Sequence, residues 1–233
     1  MTDRLPRFGL LLFPNITQLD LTGPYEVLAR VPGAEMHLLW KDTDPVRSDT
    51  GLRILPTTAL ADCPDPDLLL VPGGSGVQEL LADETVLAFL RSQARTVRYL
   101  VGVCTGSLVL GAAGLLKGRR AGTHWASRQF LAAFGAVPTD GRVVVDGTLF
   151  TGGGVTAGID VALAIVAELF GEDHAKLIQL SIEYDPQPPF NAGSPVGAGE
   201  DLTARLLERM GPMLAARSAA VRAAAARLNA AQD

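Results

Sequence analysis

Apolar residues in this chain follow two rhythms, and its first half alternates between them. "RFGLLLF" (7–13) is an apolar run of strand length, whereas "ITQLDLTGPYEVLARV" (16–31) returns its apolar positions at helical spacing. "AEMHLLWK" predicts a second strand, and "VRSDTGLRILPT" a hairpin-like excursion around Asp49, Thr50 and Gly51. "DLLLVPGG" predicts a third core strand that ends in a glycine pair. Helix is predicted for "SGVQELLADETVLAFLRSQART", strand for "VRYLVGV", and helix again for "TGSLVLGAAGLL". Strands that alternate with helices in this way imply an α/β layered fold, with a mostly parallel sheet covered on both faces.

Further along, "HWASRQFLAAFG" predicts a helix, "GRVVVDGTLFTGGG" two short strands around Asp146 and Gly147, and "VTAGIDVALAIVAELFG" a long, largely buried helix. "EDHAKLIQLSIEY" and the Pro-rich crossing "DPQPPFNAGSP" lead into an Ala-rich tail of strong helix propensity. In that tail Leu206, Met210, Met213 and Leu214 recur at intervals of three and four, so one apolar stripe should pack on the core or on a second subunit. Gly211 and Pro212 should interrupt the stripe and give a helix pair. The expected organisation is an α/β domain over 1–195 followed by a helical extension over 196–233. No internal repeat is present.

Composition narrows the partners. With 233 residues, 48% of them hydrophobic, there is ample material for a packed core. A formal charge of -5 and a tail of balanced charge argue against a nucleic-acid surface. The N-terminal "MTDRLPRFGLLLFPN" has only a short apolar run and no small-residue cleavage site, so a cytoplasmic protein is expected. The two cysteines are expected to be free thiols there.

The stretch "YLVGVCTGSLVLGAAGLL" (99–116) carries no charge and approaches the length of a membrane span, yet Gly102, Thr105, Gly106 and Ser107 cluster where the chain must turn. No membrane segment is expected. Its "GVCTG" has the form Gly-x-Cys-x-Gly, the cysteine counterpart of the turn that sets a serine nucleophile between strand and helix. Cys104 would then stand at a helix N-terminus, where unpaired N–H groups favour a thiolate. A small buried hydrophobe at a strand–helix junction is the competing reading. Cys63, in the turn "LADCPDPD", is expected to be incidental.

Candidate partners for the thiol are few. His37 lies inside a strand and His174 at a helix start, and both are expected to be structural. His124, in "AGTHWAS", either approaches the site or caps a helix and packs on Trp125. Asp20 sits among Ile16, Leu19 and Leu21 just beyond the first strand, the sheet edge where open α/β folds bind ligands; membership of a Thr17 capping arrangement is the alternative. Gly73 and Gly74 end another strand at that edge, and their N–H groups are candidates to hold developing negative charge. His, Cys and carboxylates do not cluster at metal-ligand spacing, and "GGGVTAG" lacks the lysine of a phosphate loop, so no metal and no cofactor are expected.

Taken together, "LLFPNITQLDLTGPYEVL", "DLLLVPGG", "VCTGSLVLGAAGLLKGRRAGTHW", "LFTGGGVTAGID" and "EYDPQPPFNAGSP" resemble the DJ-1/PfpI superfamily over about residues 7 to 195, and within it the isonitrile hydratases. The resemblance implies a flavodoxin-like three-layer α/β/α sandwich, a homodimer, a nucleophile at Cys104 and an acidic partner at Asp20. Pocket candidates are His124, Trp125 and Val155. Many superfamily members carry His after the cysteine; this chain has Thr105, as the hydratases do, so peptidase chemistry is not implied. The implied reaction converts a small-molecule isocyanide and water to a formamide without a cofactor, by way of a Cys104 thioimidate. In it Asp20 moves the protons, and the Thr105 hydroxyl and nearby N–H groups steady the intermediate. A glyoxalase or deglycase of the same superfamily, or a non-enzymatic ligand- or redox-sensing module, is the alternative. The motifs also look like the sensor half of AraC-type regulators, but the segment after Pro195 is too short for their DNA-binding domain.

Overall fold

A computed structural model describes residues 5–230 of the chain. The elements, in chain order, begin with β1 (Arg7–Leu11), α1 (Gln18–Leu28), β2 (Glu35–Trp40), β3 (Val46–Arg47), β4 (Arg53–Ile54), β5 (Thr58–Ala59) and β6 (Leu68–Val71). The middle of the chain forms α2 (Val77–Leu80), α3 (Glu84–Gln93), β7 (Tyr99–Val103), α4 (Gly106–Ala112) and β8 (Arg120–Ala121). A 3-10 segment, Trp125–Phe134, leads to β9 (Val137–Pro138), β10 (Val143–Asp146) and β11 (Leu149–Gly152). Four helices complete the chain: α5 (Ala157–Phe170), α6 (Glu172–Ser181), α7 (Pro195–Ala198) and α8 (Glu200–Ala230).

The main sheet has seven strands in the order β10-β11-β7-β6-β1-β2-β5, and every pair is parallel except the β10–β11 hairpin at one edge. Strands inside such a sheet are covered on both faces, so they read as continuous apolar runs rather than alternating ones. Leu68–Val71 is buried at every position, and Leu10 and Leu11 are fully buried. Each such side chain contributes about 1.5–3 kcal/mol on leaving water. Helices α1, α5 and α6 pack on one another on one side of the sheet, and α2, α3, α4 and α8 gather on the other, giving the three-layer α/β/α sandwich. Strands β1, β6, β7 and β11 run parallel and side by side, so their C-terminal ends open at one edge.

Three elements differ from the sequence pattern. The helix expected across 75–96 divides into α2 and α3, because the Asp83 carboxylate accepts the Val86 N–H at 3.3 Å and starts a new helix. The segment 125–134 winds as 3-10 rather than α. The expected break at Gly211–Pro212 is overturned: α8 runs unbroken for 31 residues with Pro212 inside it. Helix formers lie on either side of the Gly211–Pro212 pair, and both Pro212 and Glu208, whose carbonyl loses the proline's missing N–H, are exposed, so that carbonyl is open to solvent.

Leu206 is exposed, so the buried stripe of α8 begins later than expected, with Met210, Met213 and Leu214 half-buried and Arg217, Val221 and Ala224 buried. The helix is tied to α2 by Gln78 Nε2, which donates to the Met213 carbonyl at 3.5 Å, and to Leu81, whose carbonyl accepts from Arg227 at 2.8 Å. The uncharged stretch 99–116 is β7, a turn and α4, and no helix among the described residues is long and apolar enough to cross a membrane.

Candidate active site

The chain leaves β7 through Cys104 and enters α4 at Gly106. The glycines of "GVCTG" are needed for close approach: a Cβ on Gly106 would lie 2.0 Å from the Val71 carbonyl oxygen, and one on Gly102 would lie 2.8 Å from Ser107 Oγ. Between them Cys104 is held at φ +53°, a left-handed conformation that costs a side-chain-bearing residue about 1–3 kcal/mol. Surrounding bonds enforce it. Its N–H reaches the carbonyls of Gly152 and Gly153 at 3.2 and 3.0 Å, and its own carbonyl accepts from Thr123 Oγ1 at 2.6 Å. Val155, opposite, also has a positive φ of 28°.

Asp20 comes from the first turn of α1 and is fully buried. The Thr17 capping arrangement does not form through side chains: the Thr17 hydroxyl donates to Asp49 at 2.6 Å instead. Gly73 N–H donates to Asp20 Oδ2 at 3.1 Å, and Oδ1 is buried without a hydrogen bond of good geometry, leaving an acceptor for the neighbouring Cys104 thiol. Gly74 N–H donates to Thr105 Oγ1 at 3.1 Å, and that hydroxyl in turn donates to the Gly74 carbonyl at 3.4 Å. The two glycine amides offered by the sequence as holders of developing charge are therefore engaged inside the protein, where they orient Asp20 and Thr105. A Cβ on Gly73 would lie 2.8 Å from Asp20 Oδ2 and 2.7 Å from Thr105 N, so only glycine lets the three meet.

Burial dominates the ionisation of the pair. It pushes the Asp20 carboxyl up to about 7, against the pull of the Cys104 thiol and the Gly73 N–H, and the Asp49 charge adds to the rise. It also pushes the Cys104 thiol up to about 12, with the Asp20 charge as the second cause, although N–H groups of Val155 and Thr105 at the sulfur oppose it. The thiolate expected from a helix N-terminus is thus outweighed by desolvation and by the neighbouring carboxylate. Two acids in contact titrate as a pair, and one proton and one negative charge are what they hold together above pH about 7.

Cys104 lies at a cavity of about 180 Å³ whose walls include Thr105, Gly74, His124 and Val155. Helix α8 closes it with Met210, Met213 and Arg217, and Asp49 and Ser75 complete the rim. His124 accepts the Ala126 N–H at its Nδ1 (3.3 Å), and burial, then the Arg217 charge, lowers its pKa, so it is a neutral ring in the cavity wall. Trp125 stacks on His124 with centroids 5.5 Å apart, but it lines a neighbouring cleft of about 650 Å³ rather than the Cys104 cavity. His124 and Val155 border both. Cys63 donates to the Pro64 carbonyl, His37 pairs with Thr58, and His174 packs on Phe170; none of these lines the cavity.

Sequence reasoning missed the contribution of α8. Arg217 follows Met210 by seven residues and precedes Val221 by four, which places an arginine on the buried stripe of the helix. That placement was the signal. Among the described residues no group of three or more His, Cys, Asp or Glu is arranged to hold a metal ion.

A strained cysteine at a strand–helix elbow, paired with a buried carboxyl from the first helix of a parallel α/β sandwich, defines a class, and residues 7–168 match the DJ-1/PfpI family model; the chain belongs to that family. It is 55% identical over 223 residues to the isonitrile hydratase of Pseudomonas putida, covering 96% of this chain and 98% of that one. A ThiJ/PfpI family protein from Pseudomonas syringae has the same fold, with a TM-score of 0.91, 42% identity and coverage of 93% and 90%. The transcriptional regulator GbdR of Pseudomonas aeruginosa (strain UCBPP-PA14) is 35% identical over 75% of this chain but only 48% of its own length.

Proposed function

We propose that this protein is a cofactor-independent isonitrile hydratase that converts an isocyanide R–N≡C and water to the N-substituted formamide, working as a cytoplasmic homodimer. The observation that carries the proposal is the 55% identity to isonitrile hydratase over nearly the whole of both chains. The Cys104–Asp20 pair supplies a physical means. Isocyanide carbon accepts a nucleophile and then a proton at the same atom. The Cys104 sulfur forms the C–S bond while the proton shared with Asp20 passes to that carbon, giving the thioimidate Cys–S–CH=N–R with no atom lost. Asp20, now a carboxylate, draws a proton from water as its oxygen adds to the same carbon. Asp20 passes that proton to the nitrogen, and collapse of the tetrahedral adduct breaks the C–S bond while the hydroxyl proton returns to the Cys104–Asp20 pair, releasing HC(=O)–NH–R. A carboxyl poised near pH 7 suits both donation and acceptance. Thr105 supports this chemistry through its N–H at the sulfur, while its hydroxyl fixes Gly74.

The test is turnover of a simple alkyl or aryl isocyanide to formamide, with acid-quenched intact mass searched for protein plus one whole substrate on the Cys104 peptide. Water enriched in heavy oxygen should label the formamide carbonyl. Consumption of methylglyoxal to lactate without isocyanide turnover would move the reading to the glyoxalase alternative, and reaction with neither would favour the sensing module.

A further inference from the structure

Arg217 is 3% exposed, and among the described residues no carboxylate lies within ion-pair distance of it. Its Nη1 donates to Ser127 Oγ at 3.0 Å, its Nη2 meets only the Met213 sulfur at 3.4 Å, and its Nε is buried with no partner. An arginine remains charged at any physiological pH, and a buried cation is tolerated only where an opposite charge answers it. The cavity it lines contains Cys104. Groups facing that cavity or touching its thiol can be named by element: Asp20 from α1, Asp49 from the β3–β4 excursion, His124 before the 3-10 segment, and Arg217 from α8. His124 is neutral, and Asp49 is exposed and engaged by the Thr17 hydroxyl. Met210 and Met213 contribute no charge.

We propose that Arg217 is the built-in counter-ion of the single negative charge that Cys104 and Asp20 share, so that the C-terminal helix completes the electrostatics of the nucleophile. The guanidinium and the pair then sum to zero in a buried site, which accounts for an arginine held there without a carboxylate of its own. Arg217 acts through Cys104 and is a positioning residue in this sense. The Cys104 charge in turn favours the charged form of Arg217, against its burial. The inference does not depend on isocyanide chemistry, because it concerns the free protein.

The experiment is alkylation of the full chain by iodoacetamide from pH 5 to 10, with Cys63→Ser as the background so that only Cys104 reports. The midpoint of the rate profile measures when the pair gains its negative charge, independently of how easily the reagent enters. Arg217→Met keeps the apolar stem and removes the charge; its midpoint should rise by at least one pH unit, about a tenfold loss of rate well below the parental midpoint. Arg217→Lys retains a cation without the planar fork, and its midpoint should lie closer to that of the parent than to the methionine variant. If Arg217→Met does not fold, the lysine variant is compared with Arg217→Gln in the same way. A folded neutral variant with the parental midpoint overturns the proposal, as does a lysine variant shifted as far as the neutral one. A structural role alone would lower stability without moving the profile.

Discussion

A carboxyl as deeply buried as Asp20 changes the pH dependence of the whole fold. Its folded value of about 7 stands above the unfolded 3.8, so between these limits the folded chain binds more protons than the unfolded one. Stability therefore falls as pH rises through that window, by on the order of 4 kcal/mol in total at about 1.4 kcal/mol per unit. Asp20→Asn removes the titration, so thermal melts from pH 4 to 8 should show a flatter profile than wild type. The same substitution should cost at least about 10²-fold in isocyanide turnover, since an amide cannot carry the proton. A variant whose stability no longer falls with pH while its activity is lost marks a residue whose charged form is held at energetic cost for function; a normal rate would demote Asp20 to a buried helix-start residue. Cys104→Ser and Cys104→Ala should both fold and lose essentially all turnover, whereas Cys63→Ser should keep the parental rate, and an equal loss there would mean the nucleophile is Cys63.

At the scale of elements, the β7–turn–α4 junction depends on backbone contact with the end of β6. A Cβ on Gly106 would stand 2.0 Å from the Val71 carbonyl oxygen and 2.6 Å from that of Pro72. Neither can swing away as a side chain could, so Gly106→Ala should destabilise by more than about 4 kcal/mol, in the range reserved for disrupted cores. A urea midpoint within experimental error of wild type would refute this. The junction was legible in the sequence because its requirements are local: a strand-length apolar run, two glycines around a cysteine, then helical periodicity. The alternating strands and helices, and hence the α/β class, were legible for the same reason. What depended on distant partners was not. Gly73 and Gly74 could be placed at the right edge, but where their N–H groups point is decided by Asp20 and Thr105 arriving from two other elements. Arg217 stood in a tail whose helix propensity was plain, yet its docking over Cys104 comes from the packing of α8 on the 3-10 segment, α2 and α4. Pro212 reads locally as a break, and only its exposed position allows the helix to continue through it.

At the scale of the molecule, large apolar side chains left in water collect in the C-terminal part of the chain. Phe190 is 78% exposed and Val196 95%, and Leu202 and Leu206 follow along the first turns of α8. Leu202 and Leu206 share a small groove with Trp125 and with residues 192–195, so this apolar surface borders the cleft that adjoins the Cys104 cavity. Single exposed apolar residues are ordinary, but Leu202 and Leu206 in the groove and Val196 in the adjoining cleft lie on neighbouring surface, and such a set marks an interaction site. A second copy of this chain is the expected occupant, in line with the dimer implied by the family resemblance. Sedimentation velocity at micromolar concentration should give a dimer for the wild type. Phe190→Ser together with Val196→Glu should shift it toward monomer, because a glutamate buried in an apolar contact must be desolvated without a partner. The fold of the single chain should survive, since both side chains lie outside the core, and an unchanged circular dichroism spectrum checks this. A double variant that remains fully dimeric would place the interface elsewhere, and a wild type that sediments only as monomer would remove the need for one. If the contact forms here, its position beside the cleft bordered by His124 and Val155, which Val196 also lines, predicts that dissociation raises KM for bulky isocyanides more than for small ones.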